Sequence, residues 1–391
     1  EISVAMLGEV PRDKLKGLVS VRGSSTSHVA IVARAMGIPT VLGMVDLPLP
    51  RLGGAPVVLD GHRGRLFVRP AAELKARYAS LIAEEEALSE LLEHEQDLPS
   101  ATPDGHTMPL MVNTGLAVDA TALLKNRIGG VGLYRTEVPF MITERFPGDK
   151  DLPYFPIEEA NPFLGWRGMR VTLDHPEVLM VQLRAMLKAS MGLDNLYVLF
   201  PMITNVEEVD EALRLLDRAI LELGEEGVNV ARPKVGVMIE VPATIYQMDA
   251  LAKRVDFFSV GSNDLTQYLL AVDRNNPRVS SLYDAMHPAL LGALQELASD
   301  ASRLNKPISL CGELAGDPAG ALLLMAMGFT SLSMNAPSLP KVRAAIRRVP
   351  FSDAEQLLKE VMALDTPAQV HAHLDQRLDE WQLSHLMPPR D

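Results

Sequence analysis

One histidine stands out for the residues around it. Gly23-Ser24-Ser25-Thr26-Ser27-His28 is a run of small and polar residues ending on an imidazole, and an apolar stretch, Val29-Ala30-Ile31-Val32-Ala33-Arg34, follows as far as Gly37-Ile38-Pro39. Glycine and serine permit a close-approach turn, and His28 then starts a helix whose free N–H groups and dipole favour an anion. An imidazole held there can act as a nucleophile that accepts a phosphoryl group. The plainer alternative is a histidine in a polar loop with no part in chemistry.

A second set of reactive side chains lies far downstream, each at the end of a short apolar run. These are Arg135 in Leu133-Tyr134-Arg135-Thr136-Glu137, Glu240 after Met238-Ile239, Asn263 and Asp264 after Gly261-Ser262, and Cys311 after Leu310. Arg167, in Asn161-Pro162-Phe163-Leu164-Gly165-Trp166-Arg167, and Arg274, after Asp273, join them. Two carboxylates from neighbouring runs, Glu240 and Asp264, suit Mg²⁺, which takes one or two carboxylates and completes its oxygen shell from substrate. Arginines grip phosphate and carboxylate through two N–H groups at once. Together they describe a site for a small phosphorylated carboxylic acid. Singly, each has a plainer reading: a solvated charge for each arginine and for Glu240, a helix N-cap for Asp264, an inert buried thiol for Cys311. Their joint appearance at the ends of successive runs argues against coincidence.

The elements that must position these residues fall into three parts. Over residues 1–70, short β-rich runs alternate with turns; Ala55–Asp60, the turn Gly61-His62-Arg63-Gly64 and Arg65–Val68 predict a hairpin in a small α+β module. Between 71 and 96, Leu74, Tyr78, Leu81, Ile82, Leu88, Leu91 and Leu92 recur at helical spacing, without Gly or Pro. This is one long amphipathic helix, read either as a connector between rigid bodies or as a plain surface helix. From Met108 the rhythm becomes strand, loop, helix, with strands expected at Met108–Asn113, Val131–Arg135, Tyr197–Pro201, Val235–Glu240, Phe257–Gly261, Ile308–Cys311 and Ser331–Met334. Val209, Leu213, Leu216 and Ile220 predict the buried face of one connecting helix, and Leu290, Leu294, Leu297, Ala301 and Leu304 that of another. Asp317-Pro318 opens a further helix that Gly328 closes. Repeated βα units of this kind predict an α/β fold, a (β/α)₈ TIM barrel whose site lies at the C-terminal ends of its strands. One strand is short of the eight required: Glu137 to Asn161, with four prolines and no strand pattern, cannot hold a whole βα unit. The tail from Ser352 opens on a capping-box pattern, Ser352-x-x-Glu355, and predicts two helices on the barrel exterior.

With 391 residues, 47% hydrophobic and 22% charged, the chain has the composition of a globular protein with two domains. A net charge of −13 argues against nucleic acid or an anionic membrane as partner, so an anionic substrate needs local arginines. The single cysteine, Cys311, excludes an internal disulfide framework and fits a reducing compartment. No apolar run approaches a membrane span and no signal peptide is present. The chain starts at Glu1, directly in an apolar strand, as a piece of a longer protein would.

The motifs carry a resemblance. The His28 loop is similar to the phosphohistidine signature of the phosphoenolpyruvate (PEP)-utilising enzymes, with Ser24 and Val29 as departures. From Ile2 to about Val349 the chain resembles enzyme I of the PEP-dependent phosphotransferase system, through L-Y-R-T-E, G-D-K-x-L-P-Y, N-P-F-L-G-W-R, G-V-M-I-E-V-P, D-F-F-S-V-G-S-N-D-L-T-Q-Y, A-V-D-R-x-N and C-G-E-L-A-G-D in order. Glu137–Met141 and Asp273–Asn276 look closer to the nitrogen-related paralogue. The resemblance implies a swivelling phosphohistidine domain at 1–70, a linker helix at 71–104 and a PEP-binding TIM barrel with C-terminal helices at 105–391. It implies Mg²⁺ on Glu240 and Asp264, PEP held by Arg135, Arg167, Asn263 and Arg274, His28 as nucleophile and Cys311 as proton donor to the enolate of pyruvate. It further implies a histidine phosphocarrier protein as acceptor, a cytoplasmic homodimer joined through the barrels, and a carrier-docking domain upstream of Glu1. A fragment of pyruvate phosphate dikinase or PEP synthase shares the loop and the barrel, and a silent PEP-sensing regulator shares the fold. Family members carry a further strand and arginine before G-D-K; here Phe146-Pro147 runs directly into Gly148-Asp149-Lys150, so a segment of the family's chain is missing at that point.

Overall fold

The computed structural model describes residues 10–11, 14–21, 33, 38–44, 47, 52–61, 63–95, 97–114, 128–136, 159, 161–276 and 278–387. Two compact units divide the chain: Glu1–Leu98 with Thr114–Arg127 and Tyr134–Pro147, and Pro99–Asn113 with Ile128–Leu133 and Gly148–Asp391.

In the first unit β1 (Leu18–Val19) pairs in parallel with β2 (Thr40–Val41), and β3 (Val57–Asp60) pairs antiparallel with β4 (Arg65–Val68), the expected hairpin. Its turn is set by Gly64, at φ +63°, and by the Asp60 carboxylate, which accepts from the Arg63 N–H at 3.0 Å. Helix α1 (Ala72–Glu93) follows, within the expected span. Its covered stripe is Leu74, Tyr78, Leu81, Leu88 and Leu92, whereas Ile82 and Leu91 are 55% and 67% exposed. The Tyr78 hydroxyl donates to Asp60 at 2.8 Å and its ring lies 5.8 Å from that of Phe67, so the start of α1 is fixed on the hairpin. His28 lies outside the described residues.

From residue 99 the chain runs through β5 (Leu110–Thr114), β6 (Val131–Tyr134), α2 (Met169–Asp174), α3 (Pro176–Ala189), β7 (Tyr197–Phe200), α4 (Val206–Glu225) and β8 (Lys234–Ile239). Then come α5 (Met248–Ala252), β9 (Phe257–Val260), α6 (Ser262–Leu270), α7 (Pro288–Arg303), β10 (Ile308–Leu310), α8 (Pro318–Met327) and β11 (Ser331–Met334). Three helices end it: α9 (Leu339–Arg348), α10 (Phe351–Val361) and α11 (Pro367–Glu380). All seven expected strands are present and form one sheet, in the order β6-β5-β11-β10-β9-β8-β7. Each pairing given a register is parallel, and the runs Val235–Ile239 and Phe258–Val260 are buried on both faces, as helix-covered parallel strands must be.

That order is a barrel's. Each strand except β6 lies beside its successor, and the last, β11, lies beside the first, β5, with Leu332 opposite Leu110. The sheet ends at β6 and β7, the two strands flanking the stretch in which the sequence comes up one short. Between them the described residues are 135–136, 159 and 161–196, and they contribute helices but no strand.

The covering helices follow from their side chains. The buried face of α4 is Val209, Ala212, Leu215, Leu216, Ala219 and Leu223; Leu213 and Ile220 are only half-covered, because the two alanines rotate the face towards the sheet. Helix α7 buries Leu290, Leu294, Leu297 and Ala301 as expected, and α8 has the expected Asp317 cap, at 2.8 Å from the Gly320 N–H, and Gly328 at φ +97°. Leu322 to Met325 of α8 are at most 1% exposed, so that apolar run belongs to the core. The capping box expected at Ser352 does not form. Helix α10 begins one residue earlier, and its first N–H groups, on Phe351 and Ser352, donate to the Asp104 carboxylate at 2.8 and 3.2 Å. Those bonds, the Phe351 one foremost, and the Thr102 hydroxyl hold the Asp104 pKa at about 2.

Candidate active site

The C-terminal ends of β8, β9 and β10 carry Glu240, then Asn263 and Asp264, then Cys311. Glu240 directly follows β8 and is 4% exposed; its carboxylate accepts from the Met202 N–H, beyond β7, at 2.7 Å. Met202 adopts a left-handed backbone at φ +56°, a conformation non-glycine residues rarely take. Gly261 ends β9, and a Cβ there would stand 2.7 Å from the other oxygen of Glu240, so the carboxylate fills the space that glycine leaves. Glu240 is therefore a buried, hydrogen-bonded acid rather than a solvated strand-end charge.

Asp264 is the third residue of α6, past the N-cap position at Gly261. Its side chain is 13% exposed, with Arg167 Nη1 at 3.3 Å and Arg274 Nη2 at 3.8 Å from the same oxygen. Arg274 is returned to the site by Gln267: the backbone N–H groups of Ala271 and Val272 donate to its carbonyl, and that of Arg274 donates to its side-chain oxygen at 3.2 Å. Three buried polar atoms here, Ser262 Oγ, Gln267 Nε2 and Arg274 Nη1, have no hydrogen-bond partner among the described residues. Asn263 is held at both ends, its side-chain oxygen accepting from the Glu313 N–H at 3.0 Å and its carbonyl from the Tyr283 hydroxyl at 3.4 Å. Burial pushes the Tyr283 phenol up although Arg274 opposes it.

Cys311 follows β10, 6% exposed, with its thiol 3.5 Å from the Val260 carbonyl. Arg135 belongs to the other unit. It is exposed at the end of β6, and its N–H donates to the Thr114 carbonyl at 3.0 Å. Among the described residues no group of three or more His, Cys, Asp or Glu side chains gathers. Two hard carboxylates, Glu240 and Asp264, fit an ion that draws its other oxygens from substrate and water, as Mg²⁺ does.

Sequence reasoning missed the residues that brace the site. Asn113, in β5, donates from Nδ2 to the carbonyls of Cys311 at 3.0 Å and Ser333 at 3.2 Å, and accepts from the Ser333 hydroxyl. Tyr268, one turn after Asp264 on α6, donates to the Phe163 carbonyl and accepts from Arg167 Nη1 at 3.5 Å. Burial, with the Asp264 and Glu240 carboxylates nearby, pushes its phenol up. The i, i+4 spacing of Asp264 and Tyr268 was the one available signal.

The PEP-binding domain of the PEP-utilising enzymes matches residues 89–148 and 143–351, and the mobile domain of the same enzymes matches residues 1–64. A Salmonella typhimurium protein named for the phosphoenolpyruvate-dependent phosphotransferase system is 43% identical over 411 residues, 96% of this chain and 55% of its own length. A phosphoenolpyruvate-protein phosphotransferase from Haemophilus influenzae is 38% identical over 95% of this chain and 69% of its own length. Among solved structures, a citrate lyase from Burkholderia xenovorans shares 14% identity at a TM-score of 0.38, covering 74% of this chain and 99% of its own. The chain thus spans little more than half the length of the Salmonella relative. Their alignment spans 411 residues yet takes up 96% of a 391-residue chain, about 375 residues, so about 36 of its positions have no residue here. The two stretches of the PEP-binding match meet at 143–148, where the missing segment was expected. With that match covering more than half the chain, and with the Haemophilus relative covered over more than two thirds of its length, the chain belongs to the PEP-utilising enzymes, among the phosphoenolpyruvate-protein phosphotransferases.

Proposed function

We propose that the chain is the phosphohistidine and PEP-binding portion of a PEP–protein phosphotransferase, moving the phosphoryl group of PEP to His28 and then to a histidine phosphocarrier protein. The observation that carries this reading is the convergence of Arg167 and Arg274 on Asp264, with Arg274 Nη1 buried and lacking an acceptor among the described residues. Two cationic forks, one with a nitrogen still open, suit a substrate bearing both phosphate and carboxylate.

In this reading Arg167 and Arg274, with Asn263 and Arg135, hold PEP, and Glu240 and Asp264 are the ligands for Mg²⁺. The ion, when bound, offsets charge on the phosphoryl oxygens. A ring nitrogen of His28 forms the new N–P bond as the bond from phosphorus to the enol oxygen breaks, and the arginines neutralise the developing charge. The enolate is protonated at its methylene carbon by the Cys311 thiol, which is 6% exposed and kept from bulk water, and pyruvate leaves. The phosphohistidine module, 1–70, then carries the group to its acceptor, with 71–104 as connector and 105–391 as the PEP-binding domain. A cytoplasmic homodimer of the nitrogen-related type belongs to the same proposal, and the named relatives support it over a dikinase or PEP synthase fragment. One observation favours a second reading, a PEP-sensing regulator: the unfilled positions at 143–148 take a family arginine with them.

Intact mass before and after incubation with PEP and Mg²⁺, at alkaline pH to preserve phosphohistidine, tests the proposal. A gain of one phosphoryl group, lost in His28→Ala, is expected. PEP binding without any mass gain would replace the enzyme reading with the regulatory one.

A further inference from the structure

Phe163 lies in a single 3₁₀ turn, Pro162–Leu164, and is half-buried. The guanidinium carbon of Arg167 stands 5.2 Å from its ring centroid and that of Arg274 stands 5.7 Å away, so one aromatic ring serves two cations. These are the same two arginines that share Asp264, Arg167 from the loop before α2 and Arg274 from the loop after α6. Like charges drawn this close repel each other, and the negative face of the ring, like the carboxylate, offsets part of that repulsion. The ring is itself anchored. Its backbone carbonyl accepts from the Tyr268 hydroxyl, which in turn accepts from Arg167, and burial keeps that phenol protonated. Phe163, Tyr268 and Asp264 therefore form a frame around the two guanidinium groups.

We propose that Phe163 is a positioning residue, a shelf that sets the spacing of the Arg167 and Arg274 forks so that both can grip one ligand bearing phosphate and carboxylate. The identity of that ligand rests on the function proposed above; the shelf does not. Phe163→Leu keeps apolar bulk and removes the π face, whereas Phe163→Trp keeps the face. In the chain labelled with ¹⁵N-arginine and without ligand, the Nε–H signals of Arg167 and Arg274, assigned with Arg167→Lys and Arg274→Lys, are expected upfield under the ring current. Both should move downfield together in Phe163→Leu and not in Phe163→Trp. Unmoved signals in Phe163→Leu would overturn the shelf. Calorimetric titration with PEP in Mg²⁺ should show binding weakened about 5- to 30-fold in Phe163→Leu, the loss of two cation–π contacts, and within about threefold of wild type in Phe163→Trp. The rate of phosphorylation at saturating PEP should change far less than the affinity. Equal losses in the two variants would reduce Phe163 to packing and overturn the proposal. Absence of PEP binding in the wild-type chain would remove the ligand reading alone, and the arginine spectra would still decide the shelf.

Discussion

Asn113 offers the sharpest test of how the sheet holds its rim. Its amide makes three hydrogen bonds, to the carbonyl of Cys311, just after β10, and to the carbonyl and hydroxyl of Ser333 in β11. At about 1 kcal/mol net per bond, Asn113→Ala should cost about 2–3 kcal/mol. Asn113→Asp keeps the shape but turns an acceptor towards two carbonyl oxygens, and should cost about 1–3 kcal/mol more. That carboxylate is discouraged from ionising in the folded chain, so its pKa rises above the unfolded value. A raised pKa means the folded state holds its proton longer, and the excess cost of Asn113→Asp over Asn113→Ala should shrink as pH falls. Denaturant unfolding followed by tryptophan fluorescence suits the measurement. The two tryptophans, Trp166 and Trp381, both belong to the unit that contains Asn113, so the signal reads that unit by itself. A cost below about 0.5 kcal/mol for Asn113→Ala, or equal costs for the two variants at pH 8, would refute the reasoning.

Three further outcomes follow from distances already given. Gly261→Ala places a methyl group 2.7 Å from the Glu240 carboxylate, and Mg²⁺-dependent PEP binding by calorimetry should weaken at least about tenfold; unchanged binding would separate Glu240 from the site. Cys311→Ala should bind PEP within about twofold of wild type while pyruvate release slows by about 10²-fold or more; parallel losses would count against a proton donor. Asp104 titrates at about 2 in the folded chain, below its ordinary value, so its contribution is complete above the unfolded carboxylate pKa and is lost as pH falls through about 2. Asp104→Ala should therefore lower the unfolding midpoint at pH 7, with the deficit closing towards pH 2.

The barrel was legible because its strands are short apolar runs ended by polar residues, and Ser331–Met334 coincides with its expected bounds. Glu240, Asp264 and Cys311 could be picked out for the same reason, since a parallel sheet of this kind gathers its chemistry at strand ends. What could not be read is pairing across distance. Arg167 meets Asp264 over a separation of 97 residues, and Arg274 meets the Phe163 ring from 111 residues downstream. The failed capping box at Ser352 shows the same limit from the other side. A correct local motif lost its N–H groups to a carboxylate 248 residues away. Helical spacing found the covered face of α4 but not its centre, because Ala212 and Ala219 weigh little in a hydrophobic pattern and much in close packing.

The pairing of β11 with β5 also dictates an order of events during synthesis. Asn113 waits for a partner strand 220 residues downstream, and at roughly 5–20 residues per second the ribosome needs about 11–44 s to supply it. Until then β5 has only β6 beside it, and its other edge carries a row of unmet N–H and C=O groups. A sheet that closes last on its first strand thus leaves that edge as a template for mispairing while the residues between are made, and the yield of folded protein should rise when translation of residues 115–330 is made faster.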